Sequence, residues 1–525
     1  MADMKHSVLD DGLFSVRRSE DQVDKLNLPE ILGAIAGDDL ESFEALQAHQ
    51  RQPWHSFLAQ LSAMLLARNG LESMPEEPAK WREMLVAMTN GSEAPWHLVV
   101  DDPNRPAFLQ SPIPEGSLDE ANYKLDIQTP DGLDMLVTSK NVDVKMRRVT
   151  RPQPEHWIFA LLTLQTLEGF LGRGNYGIAR MNGGFGNRPF VGATPRLGWS
   201  DHIKRDVSML LAQRPELVEE RYDDRGIALI WTKPWDGSSD DAIPLENCDP
   251  YFIEICRRLR FVDGDQGLEC WRANSGDYRI AGVRDLNGLT GDPWTPIDVG
   301  DSKALTVSGS GFDYRLIHRI LFGDDLQMPP AAERSDSEHE AEQAYLIAMT
   351  LVRGQGKTEG LHRRVIPIPS EAWSRFETPS EREEMAEHSS WRVEKASDVS
   401  KSVLRSALYG LFAAGRDADP SQLADKSAPW IDQFDDAVDE RFFDDLWRGI
   451  EMGSEEARTD WEVTLRELAR DVLEEAIDAA PLPQIRRWRA ISDAESRFWN
   501  GVYKHLERTV DTDKQNSLTP EQEAV

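Results

Sequence analysis

Cysteine is scarce: Cys248, Cys256 and Cys270 are the only three in 525 residues. So few, so widely spaced, exclude a disulfide framework and a closed four-ligand zinc site, and the thiols read as structural. Long apolar runs are missing too. Apolar residues make up 40% of the chain, yet no run approaches the roughly 18 residues that span a bilayer. No membrane partner is expected. Residues 1–18 carry charge throughout and lack an apolar stretch ending in small residues, so no secretory signal is visible. The cytoplasm is the expected compartment. The 11 histidines are scattered, with no H-E-x-x-H and no paired His/Cys cluster, so neither a metal nor a cofactor is expected. Positive charge is also short: 59 Lys and Arg face 92 Asp and Glu, a net charge of -33. Taken alone this argues against nucleic acid, because phosphate binding is driven by Lys and Arg displacing counterions. An acidic surface also keeps a protein soluble at high salt. Local clusters of bases, and not the total, therefore decide.

A chain of this length exceeds what one hydrophobic core accommodates, so two or more domains are expected. The first two thirds mix β-like runs, such as 96–100 and 227–231, with helical stretches and many Gly/Pro turns. The polar, Pro-containing segment 327–343 reads as an exposed loop. From about Lys395 the chain becomes almost free of Gly and Pro, and apolar residues recur at helical spacing. Leu404, Leu408 and Leu411 form one stripe; Trp461, Leu465, Leu468 and Val472 a second. A third runs through Trp488, Ile491, Phe498, Val502 and Leu506 after the breaker Pro481-Leu482-Pro483, and a further helix covers 441–450. The fold class is α+β: a large irregular N-terminal mixed α/β domain over 1–385, then a C-terminal four-helix bundle over 386–510. A polar tail, 511–525, is expected to be disordered.

Two glycine patterns mimic nucleotide sites. Gly172-Arg173-Gly174-Asn175-Tyr176-Gly177 satisfies G-x-G-x-x-G, but Trp157, Leu161, Leu164 and Leu171 before it have helical spacing. The glycines therefore end a helix instead of opening one, which is the wrong context for a pyrophosphate. Gly354-Gln355-Gly356-Lys357-Thr358 resembles the end of a P-loop, but the first glycine of that motif is replaced by Leu351, and a poor helix follows. A nucleotide-dependent or nuclease enzyme built on the Lys357 loop is the alternative these residues leave, and a purely structural adaptor is a third.

The segment 169–195 is dense in glycine, which lets a backbone approach another surface where a Cβ would clash. Its interleaved Arg180, Asn182, Asn187 and Arg188 supply donors. It fits a nucleic-acid groove, and it equally fits a turn-rich loop packed on its own domain. Upstream, Lys140, Lys145, Arg147, Arg148 and Arg151 surround the single acid Asp143. With Val142, Val144 and Met146 alternating between them, these bases suit an extended segment facing a polyanion.

Leu13-Phe14-Ser15-Val16-Arg17, Leu28-Pro29-Glu30-Ile31-Leu32, Pro106-Ala107-Phe108-Leu109-Gln110, the glycine loop and the helical tail, in that order, resemble the CasA family. This is the large subunit of the type I-E CRISPR Cascade surveillance complex. The likeness runs over about residues 9–507 and rests on order and spacing, since each motif alone is unspecific. It implies a non-catalytic protein that reads the protospacer-adjacent motif (PAM) of double-stranded target DNA, while pairing to a guide RNA reads the rest. It further implies help in strand separation and R-loop formation, and docking of a separate helicase-nuclease. Backbone, small and guide-handle-binding subunits are the other partners implied.

By the same resemblance, Asn182, Gly183, Gly184 and Phe185 would approach the PAM from the minor groove, whose edges tell mainly A·T from G·C. A basic finger would precede Asp285-Leu286-Asn287-Gly288-Leu289, with Arg279 as its residue and Arg284 as second choice, where the family has Lys. A wedge would precede Leu361-His362-Arg363-Arg364, on the loop of Gln355, Gly356 and Lys357, either Gln355 or Lys357 entering the duplex. The strip from Lys140 to Arg151 would face the guide RNA and backbone subunits. Arg486, Arg487, Arg489, Arg497, Lys504 and Arg508 would contact the displaced strand, or else are ordinary surface charge. Family members often carry a cysteine-ligated zinc; the spacing of Cys248, Cys256 and Cys270 does not reproduce it, and no zinc is expected.

Overall fold

The computed structural model describes residues 4–136, 149, 151–183, 186–264, 267–333, 343–354, 357–415, 418–482 and 484–506. The tail 511–525 lies outside them. The chain forms two compact units: Met1–Phe312 with Asp324–Pro367, and Asp313–Gly323 with Ile368–Val525.

The first unit is α+β. Helix α1 (Leu28–Ala36) starts at a capping box, in which Asn27 and Glu30 satisfy each other's backbone N–H, with Pro29 in its first turn. Helix α2 (Arg51–Asn69) is buried continuously from Gln52 to Leu66 and ends on Gly70 at φ +63°. A helix covered on every face is a central one. Its Trp54 and Phe57 stack at 5.4 Å, and Phe14, Phe43 and Phe159 close around Trp54. Around α2 lie α3 (Pro78–Met88), α4 (Pro154–Leu167) and α5 (Trp199–Glu220).

Among the described residues sixteen strands, most of them short, form small separate sheets. β1 (Met4–Ser7) pairs with β5 (His97–Val100), and β2 (Phe14–Arg17) lies between β3 (Val23–Leu26) and β4 (Ser42–Phe43). β11 (Gly267–Ala273) lies between β10 (Arg258–Gly264) and β6 (Lys124–Ile127). β8 (Ile227–Leu229) runs parallel to β9 (Cys248–Ile253), and β12 (Ile297–Asp298) lies between β13 (Lys303–Ala304) and β14 (Leu326–Gln327). The longest strand pair is β15 (Gln343–Gly354) with β16 (Lys357–Pro369), and β7 (Phe190–Thr194) covers the other edge of β15.

The β-like run 96–100 is realised as β5, whereas 227–231 stops as a strand at Leu229 and tightens into a 3-10 turn. The expected loop 327–343 is not wholly exposed. Ala331 and Ala332 are buried, and Ala331 N–H donates to the Pro293 carbonyl, because Pro329-Pro330 turns two small apolar residues inward. Residues 334–342 of that segment lie outside the described ones.

The second unit is a four-helix bundle with short added helices, among them α6 (Tyr314–Phe322) and Ser370–Ser374. The first rod is α7 (Pro379–Asp398), a π turn over Val399–Leu404, and α8 (Arg405–Ala413). The others are α9 (Pro420–Glu451), α10 (Ser454–Ala479) and α11 (Gln484–His505). Leu404, Leu408, Leu411, Trp461, Leu465, Phe498, Val502 and Leu506 are buried, as their spacing requires. Trp488 departs from its stripe and is 81% exposed. The helix expected at 441–450 is the end of the 32-residue α9, which carries Pro429 internally. α6 anchors here through Tyr314 against Phe442 (4.8 Å between ring centres) and Arg315 against Asp435 (2.7 Å). Among the described residues no helix is long and apolar enough to cross a membrane.

Candidate nucleic-acid interface

The glycine loop joins α4 to β7. Gly172 (φ +114°) and Gly174 (φ +90°) adopt a backbone that L side chains disfavour, and a Cβ on Gly174 would sit 2.9 Å from Asn274 Cγ. No strand precedes this G-x-G-x-x-G and no helix opens from it, as its sequence context implies. Beyond it the loop is pinned from below. Ala179 N–H donates to Glu254 Oε2 at 2.8 Å, and Arg180 pairs with Glu254 Oε1 at 3.2 Å under the Phe252 ring. Asn187 exchanges two hydrogen bonds with the Val307 backbone (2.7 and 3.1 Å), and Arg188 donates from Nε and Nη2 to Asp292 (2.5 and 3.2 Å). All three side chains are buried.

Of the two readings open for this loop, these side chains follow the packed one: Arg180, Asn187 and Arg188 do not offer donors outward, because buried polar groups spend their donors internally. What the loop presents is half-buried Asn182 and exposed Gly183, with nothing within 4 Å of where a Gly183 Cβ would stand. Gly184 and Phe185 lie outside the described residues.

The turn at 285–289 meets the base of that tip. Gly288, at φ +81°, comes so close that a Cβ would lie 2.8 Å from Met181 C and 2.9 Å from Asn182 N. The structure thus brings together two segments that the sequence holds a hundred residues apart. Arg284, on the helical turn Val283–Leu286 leading into Gly288, is exposed.

Arg279 is corrected. It is only 3% exposed, its guanidinium donates to the carbonyls of Asp241, Lys233 and Pro234 (2.7 to 3.3 Å), and it stacks on Trp235. Burial pushes its pKa down to about 10. A guanidinium so occupied is a strut, and of the two arginines only Arg284 is exposed.

Gln355 and Gly356, which join β15 to β16, lie outside the described residues, and so does the side chain of Lys357. Lys357 itself opens β16. A P-loop needs a strand, a loop and then a helix; here the loop returns into a strand paired with the one it left. Farther along β16, Arg363 is exposed, and Arg51 has its pKa lowered to about 10, first by burial and then by the charge of Arg363. Two neighbouring cations in a chain this acidic make a local positive spot.

Of the basic strip, Lys140, Lys145, Arg147 and Arg148 lie outside the described residues, and Arg151 is exposed. The strip's end is tethered where Val149 N–H donates to buried Asp131 at 2.7 Å.

On α11, Arg489, Arg497 and Lys504 are exposed and Arg486 and Arg487 half-buried; Arg508 lies outside the described residues. Arg497 is held by Asp493 at 3.2 Å and Arg487 lies 3.8 Å from Asp478. Sequence reasoning missed what accompanies them. Ile485 (92% exposed), Trp488, Trp499 and Tyr503 (61%) all face outward, and their offsets of three, eleven and four residues bring them onto one helix face. The pattern is present in the sequence, but Trp488 was counted with the buried stripe.

The three thiols do not fit the zinc that the resemblance implies. Each is buried, each Sγ lies against a backbone carbonyl, and burial pushes each pKa up to about 12. Thiols held protonated make poor ligands. Sequence reasoning also missed a buried grouping of His55, His202 and Asp206. The His-x-x-x-Asp spacing on α5 was its signal.

No family model matches the sequence, and no curated protein does. Solved structures do. CasA (Cse1) from Thermus thermophilus aligns with a TM-score of 0.62 at 15% identity, covering 95% of this chain and 100% of that one. Cse1 from Acidimicrobium ferrooxidans aligns at 0.63 and 11% identity over 96% and 99%, and Cse1 from Thermobifida fusca at 0.63 and 14% over 96% and 98%. The fold is that of CasA. Nearly the whole of a CasA fold is present, with the mixed α/β unit and the helical bundle in the order anticipated from the sequence.

Proposed function

We propose that this chain is the non-catalytic large subunit of a type I-E CRISPR Cascade complex, which reads the PAM in double-stranded DNA and starts strand separation. The observation that carries this reading is an open glycine tip, Gly183, on a loop pinned by buried ion pairs within a CasA fold. A backbone tip without a side chain can enter a minor groove, and its rigid base fixes where it enters. Asn182 to Phe185 read the PAM, with Arg284 as the cation beside them. The segment of Gln355, Gly356 and Lys357 is the wedge. Entering a base step costs a few kcal/mol of stacking, which neighbouring contacts offset.

Lys140, Lys145, Arg147, Arg148 and Arg151 face the guide RNA and backbone subunits. The bundle docks on the small subunits, the displaced strand follows the bases and rings of α11, and a separate helicase-nuclease cuts in the cytoplasm. No observation favours the enzyme reading, since the Lys357 loop has lost its P-loop context.

The test is R-loop formation on PAM-containing duplex by the assembled complex. Gln355→Ala with Lys357→Ala slows it while assembly is unchanged; unchanged kinetics would discard the wedge. Gly183→Asp abolishes PAM-dependent binding without unfolding the chain, because space is open at that position. Wild-type affinity in that variant would discard the tip, and ATP hydrolysis or DNA cleavage by the purified chain would revive the enzyme reading.

A further inference from the structure

Three side chains of metal-ligating type converge inside the first unit, away from every surface discussed above. His55 comes from α2; His202 and Asp206 come from α5, four residues apart and so one turn above each other on the same helix face. His55 Nε2 lies 2.8 Å from Asp206 Oδ2 and His202 Nε2 lies 3.7 Å from the same oxygen. The two imidazole centres are 4.1 Å apart, and the donor atoms all lie within 4.8 Å of one another.

Two features set this grouping apart from an ordinary buried ion pair. His202 is 4% exposed, yet its Nε2 has no hydrogen-bond partner. An unmet buried polar atom costs about 1–3 kcal/mol, so a fold that keeps one needs a reason. The carboxylate, in turn, is oriented by its own partners. Trp294 Nε1 donates to Asp206 Oδ2 at 2.8 Å and Arg205 to Oδ1 at 3.2 Å. Outer partners of this kind fix ligand geometry in metal sites. Phe190 and Trp294, stacked at 5.6 Å, wall the site.

We propose that His55, His202 and Asp206 bind a divalent transition metal, with zinc the ion their chemistry suits. Two imidazoles and one carboxylate match zinc, whose bonds to such ligands run to about 2.0–2.2 Å; Mg²⁺ and Ca²⁺ take oxygen ligands. Three protein ligands leave the fourth tetrahedral position to a solvent molecule. Loading moves the hydrogen that His55 Nε2 shares with Asp206 onto Nδ1, so that both imidazoles ligate as neutral rings. The ion ties α2 to α5 directly beside Phe190, the first residue of β7, two residues past the Arg188 anchor of the glycine loop. Its role is structural.

The test uses the full chain, stripped with a chelator and titrated with zinc chloride and, separately, cobalt chloride. Expected are one bound equivalent of zinc by mass spectrometry, a higher melting temperature, and the visible absorption of tetrahedral cobalt. His202→Gln, which keeps a polar group at the site, weakens zinc binding by more than about 100-fold. If the variant does not fold, the zinc stoichiometry and cobalt spectrum of the unaltered chain still decide. An unaltered chain that binds no zinc, or zinc held equally by the His202→Gln variant, overturns the proposal.

Discussion

Arg188 and Asp292, 104 residues apart in sequence, meet side-on in the interior of the first unit, with Nε to Oδ2 at 2.5 Å and Nη2 to Oδ1 at 3.2 Å. Their side chains are 3% and 2% exposed, and Asp292 also receives Thr295 Oγ1. Such a pair cannot be halved cheaply, because the partner left behind is a buried charge without compensation. Asp292→Ala is expected to destabilise the first unit by about 3–5 kcal/mol, read as a lower denaturation midpoint. Asn182→Ala, at the open tip, leaves that midpoint unchanged. An Asp292→Ala chain as stable as the wild type would mean that the loop is not held from below.

Arg279 and Arg284 separate structure from binding. Removing the Arg279 side chain abandons three carbonyls and a ring face, so Arg279→Ala lowers the melting temperature. Arg284→Ala touches an exposed side chain and leaves melting unchanged, but weakens binding of PAM-containing duplex and reduces its salt dependence by about one phosphate contact. Paired melting and binding curves check both, and the reverse assignment of effects would restore Arg279 as the finger.

The bundle was legible because its signal is local: stripes at helical spacing, few breakers and a Pro-Leu-Pro stop. The first unit was legible only as a class. Its sheets have two or three short strands each, and partners such as β7 and β15 lie far apart in sequence. Periodicity within a strand does not reveal such pairings. The site was half legible. Glycine density marked the loop, but an arginine reads the same whether it faces solvent or a buried carboxylate. Arg279 therefore reads as facing outward, Arg180 and Arg188 fit either surface, and all three lie inward. α6 carries a further lesson, since no local pattern tells that Asp313–Gly323 belongs with the second unit.

His388 gives the second unit a pH dependence. Burial, then the charges of Arg392 and Arg458, lower its pKa from 6.5 to about 4. Its Nε2 accepts a long hydrogen bond from Arg392 (3.4 Å), and its Cε1 faces Gly449 of α9. Between pH 6.5 and 4 the unfolded chain takes up a proton that the folded unit refuses, so stability falls as pH drops through that window and levels off below it. The ring is partly solvated, which screens the effect to on the order of 1 kcal/mol. Denaturation at several pH values between 7 and 4.5 checks this: His388→Gln flattens the slope, and an unaltered slope assigns the dependence to another group.

The outward face of α11 sets Ile485, Trp488, Trp499 and Tyr503 beside Arg489 and Lys504. Exposed rings interleaved with cations suit a single strand, whose bases stack on the rings while its phosphates meet the cations. Oligothymidine is therefore expected to quench the tryptophan fluorescence of the chain, and to do so less as salt rises. Trp488→Ser with Trp499→Ser weakens that binding by about 1–3 kcal/mol per stacked base. Trp488→Ser alone leaves melting unchanged, because a side chain 81% exposed contributes little to the core. Reversing Arg489 and Lys504 to Glu removes the salt dependence but not the residual stacking. Oligothymidine affinity unchanged by the tryptophan substitutions would take the strand off this face and leave it as a contact for protein.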